Sequence, residues 1–333
     1  GASCRGPCSP QPWTLPVVRK PLRALLEQQR LVFVATALLA SDDSCCRQRG
    51  AILVEAMADK DSAFQSEKLW GNSQVFCAGR LISGPDGRSA VATFLMVLVP
   101  SVVWQAAVGT WYTERHGAIF ALFAGVLAVA SLMLLFATAF SDPGIMPRQK
   151  DYSEQRDLAT GLNRTKQPAR YYDIILRGHP TKLKYCVTCN IYRPPRCTHC
   201  SVCENCVERF DHHCPWIGNC VGKRNYWLFY SFVTSTGCLN AYSLITAGSL
   251  LAIRGQEIRL EQGRDTTSAF VETMRQEPVT AALSIYCTLL VWFTVGLCMY
   301  HSYLIMTNQT TYEQIKGLYS SGGNPFHRGS AAA

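Results

Sequence analysis

Four unbroken apolar stretches divide the chain, at roughly 90–109, 117–140, 226–253 and 281–306. Each reaches the ~20 residues that a helix needs to cross a bilayer. None contains Asp, Glu, Lys or Arg, whereas a buried helix of a soluble protein would show a polar stripe. The pattern therefore predicts four transmembrane helices. The third is the most polar, with Thr234, Ser235, Thr236, Asn240, Ser243 and Thr246; such groups are expected to bond to neighbouring helices. Trp111, Tyr112, Tyr226 and Trp227 stand at span ends, where amphipathic rings favour the headgroup level. The apolar run at 31–40 is too short to span and lies too deep in the chain for a signal segment, so neither is expected there.

Composition agrees with a membrane protein: 48% of the 333 residues are hydrophobic and 17% charged. Charge then orients it. The loop 141–225 holds 14 Lys or Arg, against one in 110–116 and four in 254–280. Basic loops stay cytosolic, which puts this loop and both chain termini in the cytosol. Its eight acids leave it about +6 of the formal +9, a surface that attracts anionic headgroups and acidic ligands. The glycan acceptor patterns Asn163-Arg-Thr165 and Asn308-Gln-Thr310 are accordingly expected to stay unmodified. The chain divides into a largely irregular cytosolic region 1–89, helices 1 and 2 over 90–140, a Cys-rich cytosolic domain 141–225, helices 3 and 4 over 226–306, and a cytosolic region 307–333. Cys4, Cys8, Cys45 and Cys46 show no metal-like spacing and are read as reduced thiols, with membrane-proximal acylation as the alternative.

Half of the 16 cysteines fall between Cys186 and Cys220, with three of the seven histidines. The order is Cys186-x2-Cys189, His199-Cys200-x2-Cys203-x2-Cys206, His213-Cys214, then Cys220. Six cysteines and two histidines at these spacings complete two four-ligand zinc sites, without disclosing which ligands share an ion. Filled sites leave no open coordination position, so the ions are structural and worth roughly 10 kcal/mol of folding energy each. A disulfide framework would leave the histidine spacing unexplained. Cys197 and Cys214 are left over.

The run from Cys186 to Cys220, with Asp211-His212-His213-Cys214 inside it, resembles the cysteine-rich domain of DHHC protein S-acyltransferases (palmitoyltransferases). The resemblance implies that one ion takes Cys186, Cys189, His199 and Cys206, and the other Cys200, Cys203, His213 and Cys220. It also implies that Cys214 is the nucleophile, His212 its base and Asp211 the orienter of that base. The chemistry is coherent, because a thiol near pKa 8.5 is only slightly ionised at neutral pH and needs an adjacent base. Asp211 can then fix the imidazole tautomer. Residues so close in sequence are expected to meet through a sharp turn pinned by metal-bound His213.

Three shorter motifs extend the resemblance over about 71–329. Asp142-Pro143-Gly144 is also a local helix stop, and Thr310-Thr311-Tyr312-Glu313 is also a capping box. Asn324-Pro325-Phe326-x-x-Gly329 resembles the family's C-terminal motif, after which no long tail is expected. Cys197 departs from the family pattern and is read as a passive thiol. Arg80-Leu81-Ile82 and Val207-Glu208-Arg209-Phe210 are most similar to the Ras-acylating branch, some members of which work with a small accessory subunit.

The expected protein is thus an α-helical integral membrane protein of an endomembrane or the plasma membrane, with a cytosolic domain binding two structural zinc ions. Its expected activity is transfer of a palmitoyl group from palmitoyl-CoA to Cys214, and then to a cysteine of a membrane-associated protein. A bundle deep enough for the acyl chain and Pro215-Trp216 shielding the acyl-enzyme belong to this reading. The alternatives are a non-catalytic zinc-binding membrane scaffold and a channel, though a channel would want ionisable residues inside its spans. Zinc knuckles also serve RNA binders, but membrane spans grip this loop on both sides and no nucleic acid is expected.

Overall fold

The computed structural model describes residues 71–149, 168–176, 179–320 and 323–327. The thiols Cys4, Cys8, Cys45 and Cys46, the pattern at Asn163 and Gly329 lie outside the described residues. Helix α1 (Gly87–Trp104) runs through a π turn (Gln105–Gly109) into α2 (Thr110–His116), forming one 30-residue span. Three further helices are long and apolar enough to cross a membrane: α3 (Ile119–Ala139), α4 (Tyr226–Gln262) and α6 (Pro278–Met306). Their outward faces are greasy, as Val126 and Met133 of α3 and Leu289 and Trp292 of α6 show. An exposed apolar surface of this kind belongs against lipid.

Some of the polar groups within the spans bond from helix to helix, as expected, whereas Thr236 Oγ1 and Asn240 Nδ2 find no partner. Ser131 and Ser235 Oγ atoms lie 2.8 Å apart, and Trp104 Nε1 donates to Thr246 Oγ1 at 3.0 Å. Trp111 and Tyr112, expected at the headgroups, are buried against the protein. They lie in the last seven-residue segment of the span, which ends at His116, and Tyr112 Oη donates to the Thr246 carbonyl at 3.1 Å. At 1.5 Å per residue, α4 is about 56 Å long and overshoots a hydrocarbon core of about 30 Å. Its charged end packs against α5 (Thr266–Gln276), an amphipathic helix capped by Asp265, whose carboxylate accepts from Thr267 N and Ser268 N. Hydropathy alone did not predict α5.

The connecting region is built from short antiparallel ladders. Strand β1 (Gln74–Phe76) pairs with β2 (Leu81–Ser83), so the described part of the region read as irregular is ordered. β3 (Tyr171–Leu176), β4 (His179–Cys186) and β5 (Ile191–Tyr192) form one sheet. Two hairpins follow, β6 (Thr198–Cys200) with β7 (Asn205–Val207) and β8 (His212–Cys214) with β9 (Asn219–Val221). Ladders of three residues are not stable alone; here buried asparagines and the sulfur clusters hold them. Asn219 Nδ2 faces the carbonyls of Ile82, Ala139 and Ser141 at 3.0–3.1 Å, joining β9 to β2 and the end of α3. Asp142 stops that helix by accepting from Gly144 N and Ile145 N, both at 2.8 Å, while Arg224 pairs with its other oxygen.

Candidate active site

The two hairpins each set a histidine opposite a cysteine. His199 pairs across the ladder with Cys206, and His213 with Cys220. A preceding Cys-x2-Cys knuckle completes each group, giving Cys186, Cys189, His199, Cys206 and Cys200, Cys203, His213, Cys220. In the first, the three sulfurs lie 3.5, 3.6 and 3.8 Å from His199 Nδ1; in the second, 3.7, 3.4 and 3.6 Å from His213 Nδ1. A tetrahedron with Zn–S 2.3 Å and Zn–N 2.0 Å has an S···N edge of about 3.5 Å. All eight groups are unbridged thiols or imidazoles, so the donor set fits zinc in kind and in spacing. Cys197 is buried beside the first cluster but is not one of its four donors.

Strand alternation explains how the acidic-His-His-Cys run works. Side chains two apart share a face of a strand, and the one between points the other way. His213 therefore turns to the metal cluster, while His212 and Cys214 turn together to the opposite face. No sharp turn is involved, contrary to the expectation; the run is extended β8. The turn comes afterwards, at Pro215–Ile217, and closes on Gly218. That glycine has φ +67°, and a Cβ there would lie 2.7 Å from the Asp86 carbonyl oxygen.

On the Cys214 face, His212 Nδ1 donates to Asp211 Oδ2 at 2.7 Å. Asp211 is 1% exposed and also accepts from Thr311 N at 2.8 Å and Thr311 Oγ1 at 2.7 Å. Burial pushes the Asp211 carboxyl up, but hydrogen bonds from His212 and Thr311 outweigh it and hold the pKa below the usual carboxylate range. Burial pulls the His212 imidazole down, yet Asp211 and then Cys214 raise it to about 9. An imidazole so placed accepts a proton readily. The ring packs edge-on to Phe229 at 5.2 Å and lies 6.1 Å from the ring of buried His301, whose Nδ1 is 3.1 Å from Tyr226 Oη.

The carboxyl-terminal motifs brace this arrangement. In α7 (Thr311–Ile315) both halves of the Thr310–Glu313 capping box are formed. Glu313 is 3% exposed and receives Arg196 Nε and Nη2, each at 2.6 Å, in a bidentate pair. Asn324 Nδ2 donates to the carbonyls of Thr307 and Asn308, and Arg196 lies over the Phe326 ring at 4.7 Å. The Asn308 amide, part of the second glycan pattern, receives Arg196 and Arg209 and donates to the Phe326 carbonyl.

Cys214, 6% exposed, opens onto a cavity of about 250 Å³ between α1, α4 and α6. Trp216 lines its mouth, Phe229, Phe232 and Val233 its near wall, and Leu283 lies among the lining residues farther in. From Phe229 to Ser243, both lining residues, the cavity follows α4 for about 21 Å, the reach of a long acyl chain. Half-exposed Trp216 thus borders the cavity as well as the zinc module.

Several site residues escaped the sequence reading. Asp86, at the start of α1, accepts from His213 Nε2 at 2.9 Å, and Glu204 stands 3.5 Å from His199 Nε2. Asn219, Arg196 and His301 were equally unmarked. A lone Asp, Asn or Arg carries no spacing signal, and each acts here on a distant segment.

Comparison with known proteins agrees with the geometry. The family model for DHHC palmitoyltransferase matches residues 179–318. "Probable protein S-acyltransferase 2" of Arabidopsis thaliana is 36% identical over 306 residues, covering 85% of this chain and 71% of that protein. "Palmitoyltransferase ZDHHC14" of Homo sapiens is 37% identical, covering 75% of this chain and 51% of that protein. "Probable protein S-acyltransferase 7" of Arabidopsis thaliana is 39% identical, covering 79% and 60% respectively. The chain thus spans about half to two-thirds of the length of most of these relatives. A matched signature domain, four membrane-length helices and two zinc-type clusters together make this chain a member of the DHHC family of protein S-acyltransferases.

Proposed function

We propose that this chain carries a long-chain acyl group, palmitoyl in the first instance, from acyl-CoA to a cysteine of a membrane-associated protein through Cys214. The observation that carries the reading is a free thiol two residues from a carboxylate-bound imidazole, at the opening of an apolar cavity. His212 takes the Cys214 proton, and the sulfur attacks the thioester carbonyl. The carbon–sulfur bond to coenzyme A breaks, and the leaving thiolate recovers the proton from His212. In the second transfer a substrate cysteine gives its proton to His212 and attacks the acyl-enzyme, releasing Cys214. Asp211 holds the imidazole tautomer and stabilises its charged form.

Burial of each CH₂ is worth about 0.8 kcal/mol in an apolar site, so the cavity walls supply the acyl affinity. Zinc at Cys186, Cys189, His199 and Cys206 and at Cys200, Cys203, His213 and Cys220 would hold the hairpins; all donor positions being used, its chemistry is structural. The basic loop, both termini and Cys214 face the cytosol in this reading, where acyl-CoA and protein substrates arrive. The Ras-acylating resemblance adds a small accessory subunit, which co-purification from the native membrane tests.

Incubating the purified, zinc-loaded chain with labelled palmitoyl-CoA is the direct experiment. A hydroxylamine-sensitive label that disappears in Cys214→Ser, with two zinc ions retained, is the expected outcome. An unlabelled but zinc-loaded wild type would favour the non-catalytic scaffold.

A further inference from the structure

The cavity behind Cys214 changes character with depth. Near the thiol, α4 presents Phe229, Phe232 and Val233; farther in it presents Thr236, Asn240 and Ser243. Ser101 and Thr294 also line the cavity, but each returns its hydroxyl to its own helix, to the carbonyls of Val97 and Leu290, both at 2.7 Å. Thr236 and Asn240 do not. They are 8% and 7% exposed, and Thr236 Oγ1 and Asn240 Nδ2 have no hydrogen-bond partner. Unpaired buried donors are rare in folded proteins, and a hydrocarbon surrounding offers no bulk water to satisfy them.

Position along the helix says what would meet them. Thr236 lies about 10 Å and Asn240 about 16 Å beyond Phe229 at 1.5 Å per residue, beside the distal half of a chain attached at Cys214. Four residues apart, they share one helix face. A hydroxyl and an amide N–H can both donate to a single oxygen. A saturated chain would cover both donors with CH₂ groups and leave them unpaired.

We infer that Thr236 and Asn240 form a polar subsite for one hydrogen-bond-accepting oxygen deep in the acyl cavity, brought by an oxygenated acyl chain or by a bound water molecule that a full-length saturated chain must displace. The inference rests on the acyltransferase reading of that cavity. The subsite makes distal chain polarity, as well as chain length, a determinant of which acyl donor is used.

The test is competition for Cys214 in the purified full chain, with the acyl adduct read by intact-protein mass spectrometry. Two pairs of donors are compared in wild type, Asn240→Leu and Thr236→Val: palmitoyl-CoA against a distally hydroxylated palmitoyl-CoA, and palmitoyl-CoA against a shorter saturated acyl-CoA. Retained zinc reports folding of each variant. If the chain brings the oxygen, wild type favours the hydroxylated donor over palmitoyl about three- to tenfold more than the variants do, the effect of one neutral hydrogen bond. If water brings it, the variants instead favour palmitoyl over the shorter chain by a similar factor, because no water is displaced. Both ratios unchanged across all three proteins would overturn the subsite. Absence of any adduct, wild type included, in zinc-loaded protein would overturn the acyltransferase reading instead.

Discussion

The two sulfur clusters are built alike and placed differently. Every donor of the second lies 14 residues after its counterpart in the first. Each joins a Cys-x2-Cys knuckle to a histidine facing a cysteine across a hairpin. Continued once more, the same offset takes Cys200 to Cys214 and Cys203 to Ile217. Ile217 is an apolar side chain with no exposure, so the third knuckle is never completed and its thiol stays free. A free thiol thus stands at a ligand's place in a frame whose two four-donor clusters are complete without it. The outer contacts differ as well. His199 has Glu204 at 3.5 Å, whereas His213 reaches Asp86, the N-cap residue of α1, at 2.9 Å. The first cluster ties the connecting region to itself; the second ties it to the membrane helices.

The sharpest contrast is between cysteines at matched places. Cys200→Ser removes a donor, and we expect one zinc ion lost and destabilisation approaching the ~10 kcal/mol scale of a structural site, seen by metal analysis and thermal unfolding. Cys214→Ser should keep both ions and unfold at nearly the wild-type temperature. Equal metal loss in the two variants would mean that Cys214 is a ligand.

Next in size is the brace that the clusters share. Glu313→Ala leaves buried Arg196 without its carboxylate, and breaking a buried pair from one side costs about 3–5 kcal/mol. The expected readout is a lower unfolding midpoint with zinc still bound. A midpoint within a degree or so of wild type would show that α7 contributes little.

Asp86→Asn addresses the difference in outer contacts. Outer-shell partners of a ligating histidine are worth about 10–100-fold in metal affinity, so one ion should be lost earlier in a chelator titration. Glu204→Gln should hardly move the titration, because its carboxylate stands 3.5 Å from the ring nitrogen, beyond a well-formed hydrogen bond. Matching losses would remove the asymmetry between the clusters.

The smallest effect is expected from Thr311→Val. It deletes the hydroxyl donor to Asp211 and spares the backbone one, a loss of about 1 kcal/mol, or roughly a fivefold slower acylation of Cys214 with metal content unchanged. An unaltered rate would assign the hold on Asp211 to the Thr311 amide and His212 alone.

Chain order by itself revealed the four spans, the eight donors and two spare thiols, Cys197 and Cys214, because hydropathy and knuckle spacing are local properties carried by contiguous residues. The Thr310–Glu313 cap and the Asp142 stop were open to reading for the same reason. Strand geometry was not: β8 is three residues long, too short for an alternation pattern to announce itself, so a bend was expected where an extended strand already sets His212 beside Cys214. Asp86, Arg196, Asn219 and His301 became site residues only through partners dozens to more than a hundred positions away. The cavity, too, exists only where α1, α4 and α6 converge, and the unpaired donors of Thr236 and Asn240 are recognisable only once every neighbouring acceptor has been placed. Contacts of that range depend on how the helices and hairpins pack, which no local pattern encodes.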